Sequence, residues 1–485
     1  MHGGNNTGME KVLGEMSSIK HFFKSSIVYF IGNVLTKVMS FFLLPLYTYR
    51  ISTEDMGYYD LSTSYLNILI PVICMEIWTS IMRYMFDFYE TKGKYKAIFN
   101  GLLIFGGSVI VYTLLFVVLG LTSNIQCLIL IFFYGIFTML QNIYTSIARG
   151  LEYNTTFVIS GIVGSLVNFL SNIIMILGLN MTLNSLYIAM IIGLVVQILI
   201  LEGRIHLFRH LSFQLFDWDL LKSMLRYSIP LSVNSACFWF LTSYNRVGVS
   251  NVLGLSANGV YSVAARFTSV LSLVSTCFNM AWQELVYAKG NDGDRASFYS
   301  EASDYYIQFL LIGIVLCIPA VKVVFPFMVA PEYEEAFTFI PLYLLATGAS
   351  IFSSFIGNIF CAEKDTKVIL VSTLAGAIVN VGILHALIGR IGIQAANVSL
   401  LCGFLVNIAF RIFFLRRSLS YHLNWGKIIL PAVLFGVAWF LYLTQGTVAN
   451  ILFAVMIVIV FAFLYRDSVG RLLKGLKNSV KQKTN

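Results

Sequence analysis

The sequence predicts an all-α polytopic membrane protein of about 14 transmembrane helices: two six-helix lobes related by a pseudo-two-fold axis along the membrane normal, plus a C-terminal helix pair. Three observations carry that prediction. Hydrophobic residues make up 58% of the 485-residue chain and charged residues only 11%, where a soluble domain has about a quarter charged. Apolar runs long enough to cross a bilayer recur along the whole length. The two halves repeat one another.

At about 20 residues per span, the runs are centred near residues 36, 69, 109, 136, 167, 193, 239, 271, 316, 348, 378, 403, 437 and 456. Lysine and arginine set their direction, because cytoplasmic loops retain an excess of both. Of the 32 basic residues, 26 fall in the two tails and in every second loop. They cluster before residue 25, from Arg83 to Lys96, at Arg149, from Arg204 to Arg226, at Lys289 and Arg295, at Lys364 and Lys367, from Arg411 to Lys427, and after Leu464. Both termini are therefore expected on the cytoplasmic side of a plasma membrane, with an even number of spans between them. The polar first twenty residues argue against a cleavable signal peptide. This asymmetry accounts for the net charge of +9 and calls for no nucleic acid. The seven cysteines lie in or beside apolar runs without a CxxC pair, the pattern of small core residues rather than of disulfides or metal ligands.

The repeat appears without a gap at an offset of 202 residues, which lays Lys24 on Arg226, Ser26-Ile27 on Ser228-Ile229, Gly57 on Gly259 and Tyr59 on Tyr261. At an offset of 212, Ser160, Gly164, Val167 and Asn168 fall on Ser372, Gly376, Val379 and Asn380. Copies with an even number of spans enter the membrane from the same side, which puts the symmetry axis along its normal. The expected units are a cytoplasmic tail (1–24), a first lobe (25–203), a linker (204–226), a second lobe (227–416), an added pair (417–465) and a basic tail (466–485). In the linker, DWDLLKSML (217–225) places apolar residues at 220, 221, 224 and 225 behind an acidic turn, so an amphipathic helix on the cytoplasmic face is expected. Pro71, well inside the second span, removes a backbone bond and predicts a bend. His206 and His210 have helical spacing but no third ligand near, and no metal is expected there.

Charges inside spans are the candidates for function. Residues 259–268 read GVYSVAARFT within an apolar run, and an arginine at mid-bilayer costs roughly 2.5–3.5 kcal/mol that it cannot escape by losing a proton. Arg266 and Lys37, the latter about midway along the first span, are both at least ~12 Å of helix rise from either end. Either they line a wet cavity or they pair with Asp60 or Glu76 of the second span. Under the repeat they correspond to Ser64 and Trp239, so the charges are additions to the scaffold. Arg246 and Arg50 lie towards the outer interface, where they either line the same cavity or snorkel. Lys322 reads as an interface anchor or ion-pair partner, while Arg83 and Glu284 read as capping or pairing groups. A cavity with deep cations suits an anion, and phosphate or pyrophosphate accepts two parallel hydrogen bonds from a guanidinium. Ser64, Tyr65, Trp78, Trp239, Tyr244, Asn245 and Trp282 offer hydroxyls, amides and aromatic faces for sugar rings, though helix packing uses the same residues. No nucleotide loop or zinc spacing is present, and the Glu332/Glu334/Glu335 cluster reads as a solvated turn.

PLYTYRISTEDMGYYDLSTSY (45–65), SNVLGLSANGVYSVAARF (250–267), IMRYMF (81–86) and AWQEL (281–285), together with the six-plus-six repeat and extra pair, resemble the polysaccharide-repeat-unit flippases. These are also called O-antigen or capsule transporters, of the multidrug/oligosaccharidyl-lipid/polysaccharide exporter superfamily. The resemblance spans nearly the whole chain. It implies a carrier, not an enzyme, that moves undecaprenyl-pyrophosphate-linked oligosaccharide outward by alternating access. Its partners would be that anionic glycolipid, membrane lipids and polysaccharide-assembly proteins. No cofactor is implied. The driving force would come from the membrane potential, or from a proton or sodium ion acting through Asp60 or Glu76. Arg266 falls where similar flippases carry a cavity arginine. One departure stands out: such families often have an acid before the basic residue of the seventh span, and here the pair is Asn245-Arg246, which leaves Arg246 freer to meet an anion.

Two alternatives differ in what they need. A multidrug exporter of the same superfamily would favour acidic cavity residues for cationic cargo. A membrane polysaccharide polymerase or ligase would need a large outer loop with catalytic carboxylates or arginines, and the outer loops are short.

Overall fold

A computed structural model describes residues 38–39, 41–88, 90–289, 295–363 and 365–464. Among these, every regular element is a helix. The first expected span lies mostly outside the described residues, and its far end contains α1 (Leu44–Arg50). The second is α2 (Thr53–Ile73) followed by α3 (Ile77–Met85). Then come α4 (Thr91–Thr122), α5 (Leu128–Gly150), α6 (Asn154–Ile173, prolonged by a wider turn to Gly178) and α7 (Leu183–Ile205). The next six spans are α8 (Trp218–Thr242) with α9 (Tyr244–Leu253), α10 (Leu255–Lys289), α11 (Arg295–Met328), α12 (Ala336–Ala362), α13 (Thr366–Ile391) and α14 (Gln394–Leu419). The added pair is α15 (Gly426–Thr444) and α16 (Thr447–Leu464). Among the described residues nine helices are long and apolar enough to cross a membrane, and the α2–α3 pair makes a tenth. Each expected centre from residue 69 onwards falls within its own helix or helix pair.

The bend predicted by Pro71 is present, a few residues later. Pro71 itself stays in α2, and the axis turns by 50° between α2 and α3. Met75 and Glu76 adopt φ of 50° and 53°, a left-handed conformation that costs a side-chain-bearing residue roughly 1–2 kcal/mol.

The two-fold is visible at the tops of α2 and α10, whose first residues, Thr53 and Leu255, are separated by the repeat offset. A Cβ on Gly57 would lie 1.8 Å from the Leu255 carbonyl oxygen, and one on Gly259 would lie 1.9 Å from that of Thr53. Only glycine permits such an approach, and each contact is the image of the other. Thr53 and Ser256 share a 2.6 Å hydroxyl hydrogen bond beside it. The 212 offset is likewise structural. Gly164 faces Gly193 across α6 and α7 as Gly376 faces Gly403 across α13 and α14, the small-residue packing of membrane helices.

Burial divides the interior into two apolar clusters, one per lobe, with an exchange between them. Leu44, Tyr47 and Ile51 of the first span's end pack into the second cluster. Thr48 donates to the Met328 carbonyl and Tyr333 to that of Ile51. Met224, near the start of α8, packs into the first cluster, where its carbonyl accepts from Ser80.

The amphipathic helix expected at the surface is not a separate element. Asp217 caps α8 by accepting from the Asp219 and Leu220 amides, and the helix runs on unbroken from Trp218 to Thr242. Proline at position 230 does not end it, because neighbouring helices stabilise the freed carbonyl in membrane proteins. Lys96, 2.6 Å away, and the capping amides hold the Asp217 carboxyl below the usual carboxylate range.

Candidate functional site

Arg266 is on α10, about 16 Å of helix rise from its start. Its side chain is half-buried, with the guanidinium carbon 5.0 Å from the centre of the Tyr47 ring. Among the described residues it makes no ion pair. The charge is instead met by an aromatic face, worth about 0.5–2 kcal/mol. Tyr47 comes from the end of the first span, Tyr59 from α2 and Arg266 from α10, so the group straddles the lobe junction. Behind Tyr59, the Tyr187 ring is 5.1 Å away and its hydroxyl shares a 2.5 Å hydrogen bond with Ser62.

Asp60 and Glu76, the alternative partners expected for Arg266, are engaged elsewhere. Asp60 accepts from the Arg246 Nε at 2.8 Å, and Asn258 reaches the same carboxylate at 3.4 Å while donating to the Gly57 carbonyl at 2.8 Å. Arg246 is thus not free to meet an anion, contrary to expectation. The partner missing from position 245 is supplied by a residue of the other lobe. Glu76 accepts from Ser235 at 2.7 Å, also across the junction, and from Thr79 at 3.2 Å.

Three further candidates are used for packing. Asn245 is fully buried, donating to the Ala396 carbonyl at 2.6 Å and accepting from Asn380 at 2.9 Å, within the second lobe. Trp239 is buried and its indole donates to the Ser64 carbonyl at 2.7 Å, while the Ser64 hydroxyl donates to the Ser243 carbonyl. Arg50 ends α1 and is exposed. Lys322 donates to the Tyr442 carbonyl at 2.8 Å and lies over the Phe337 ring, tying α11 to α15. Arg83 pairs with Asp87. Lys37 lies outside the described residues.

Sequence reasoning missed Arg411. Counted among the basic residues of a loop, it is only 5% exposed within α14, threaded between α12 and α13. It donates to the Ser353 carbonyl, to the Ser353 hydroxyl at 3.0 Å and to Ser372 at 3.1 Å. Its Nη1 occupies the space a side chain at Gly357 would need. That glycine was the readable signal.

No curated protein matches the chain by sequence. Among solved structures, the lipid II flippase MurJ in an inward closed conformation superposes with a TM-score of 0.69 at 15% identity, covering 91% of this chain and 100% of that one. An inward-facing multidrug resistance MATE family transporter of the MOP superfamily gives 0.61 at 16% identity, covering 81% and 94%. An outward-facing MATE transporter gives 0.54 at 15%, covering 82% and 96%. At these identities the likeness is one of fold. The family model described as polysaccharide biosynthesis protein matches residues 22–282, more than half of the chain, and it is to this family that the protein belongs.

Proposed function

We propose that the protein is a flippase that carries an undecaprenyl-pyrophosphate-linked oligosaccharide from the cytoplasmic to the outer leaflet of the plasma membrane, for surface polysaccharide assembly. It does so by alternating access of its two lobes, with both termini in the cytoplasm. The observation that carries this reading is Arg266, a permanent cation at the lobe junction with no carboxylate against it among the described residues. Such a guanidinium offers two parallel hydrogen bonds to a pyrophosphate, and the half-buried Tyr59 beside it offers an aromatic group to the sugars. Family membership supports the cargo class, and the flippase among the fold neighbours supports the mode of action.

A multidrug exporter fits less well. Cationic cargo needs a free acid, and Asp60 and Glu76 both already hold partners across the junction. If a proton or sodium ion drives the cycle, those two residues are where it would act, by releasing the contacts they make.

The test is complementation of a strain lacking the gene. Arg266→Ala is expected to abolish surface polysaccharide while the protein remains inserted at wild-type level, and Arg266→Lys to restore part of it. Undiminished polysaccharide from the alanine variant would remove Arg266 from the mechanism.

A further inference from the structure

On the lysine- and arginine-rich face, α14 ends near Arg416 and Arg417, and the chain turns through Trp425 into α15. A cavity of about 520 Å³ lies between α11, α12, α14 and α15. Small residues on three helices, Ala349, Ala409 and Ala432, leave it unfilled. It opens sideways to the bilayer, where Leu405 and Phe413 on its rim are 52% and 59% exposed. From Arg416 to Leu401 the lining follows α14 for about 22 Å of rise, more than half of a hydrocarbon core about 30 Å thick. The groove therefore runs from headgroup level to beyond the midplane.

Its wall is almost wholly apolar, with one charge, Arg416, at the mouth. That side chain is exposed and makes no ion pair among the described residues. The nearby acid, Asp304, is taken by Lys427 at 3.4 Å and by the Asn424 amide at 2.8 Å. Trp425, exposed beside the mouth, is the residue type that settles at headgroup level.

We infer that this groove holds one anionic phospholipid of the leaflet on the basic face, its phosphate on Arg416 and an acyl chain along the wall. A groove long enough for an acyl chain, with one cation at headgroup height and nothing polar below, matches that molecule. Basic pockets between helices on the cytoplasmic side bind such headgroups. The site is separate from the Arg266 junction and does not rest on the flippase reading.

Native mass spectrometry of the full-length protein, with phosphatidylglycerol or phosphatidylcholine added to the micelles, tests it. One phosphatidylglycerol should be retained in preference to phosphatidylcholine. Arg416→Gln should weaken retention about fivefold, and Arg417→Gln, one residue away and off the lining, should leave it unchanged. Ala432→Phe, which fills the groove and keeps the charge, should also lower retention. Equal retention by wild type and Arg416→Gln would overturn the assignment, as would equal losses in the Arg416 and Arg417 variants, which would mean diffuse surface charge. Displacement of the phospholipid by undecaprenyl phosphate, itself blocked by Ala432→Phe, would overturn it in favour of the cargo's own tail.

Discussion

Arg246 and Asp60 show how a charge in a membrane protein is decided by what it meets. Their side chains are 19% and 20% exposed, and removing one member of a buried pair leaves the other uncompensated, at a cost of about 3–5 kcal/mol. Asp60→Asn and Arg246→Gln should each lower the unfolding temperature in detergent, and the exchange Asp60→Arg with Arg246→Asp should recover part of the loss. A single variant as stable as wild type would mean that the pair contributes nothing. This partnership was half legible. Both residues stood out as charges in spans, but they are far apart in sequence, and neither local spacing nor the repeat offset could join them. Arg266 was legible because its apolar surroundings are local. Arg411 was misread for the converse reason: it lies near enough to a helix end to count as a loop charge, and only the missing side chain at Gly357 marks the space it occupies.

Helices were easier to read than side chains, because about 20 apolar residues in a row announce themselves. The sequence offset that aligned Gly57 with Gly259 became, in the structure, a reciprocal backbone contact between α2 and α10. The surface helix was misplaced because DWDLLKSML carries both a cap and an amphipathic face, which suits the first turns of a continuous span as well as a separate element. The reciprocal contact makes a prediction of its own. At Gly57 an added Cβ would fall about 1.6 Å short of ordinary 3.4 Å contact with Leu255, so Gly57→Ala should push the N-terminal ends of α2 and α10 apart. Paired spin labels at Ser52 and Val252, both exposed, would report a longer mean distance. An unchanged distribution would show that the helices absorb the methyl without parting.

At the scale of the whole molecule, the proposed transport has an electrical consequence. Moving two negative charges outward, down an inside-negative potential of 100 mV, releases about 4–5 kcal/mol, enough to bias a carrier without a coupled ion. In proteoliposomes with lipid-linked pyrophosphate substrate, flipping should quicken when a potassium gradient makes the donor side negative, and slow when the gradient is reversed. Rates indifferent to the sign of the potential would direct attention to Asp60 and Glu76 as ion-coupling groups.

The glycine contact between α2 and α10 bears on how such a carrier keeps its membrane sealed. The two touches are related by rotation about one axis and join the same two helices, so they part together. On the proposed alternating-access cycle, that makes the contact a two-position latch rather than a graded valve.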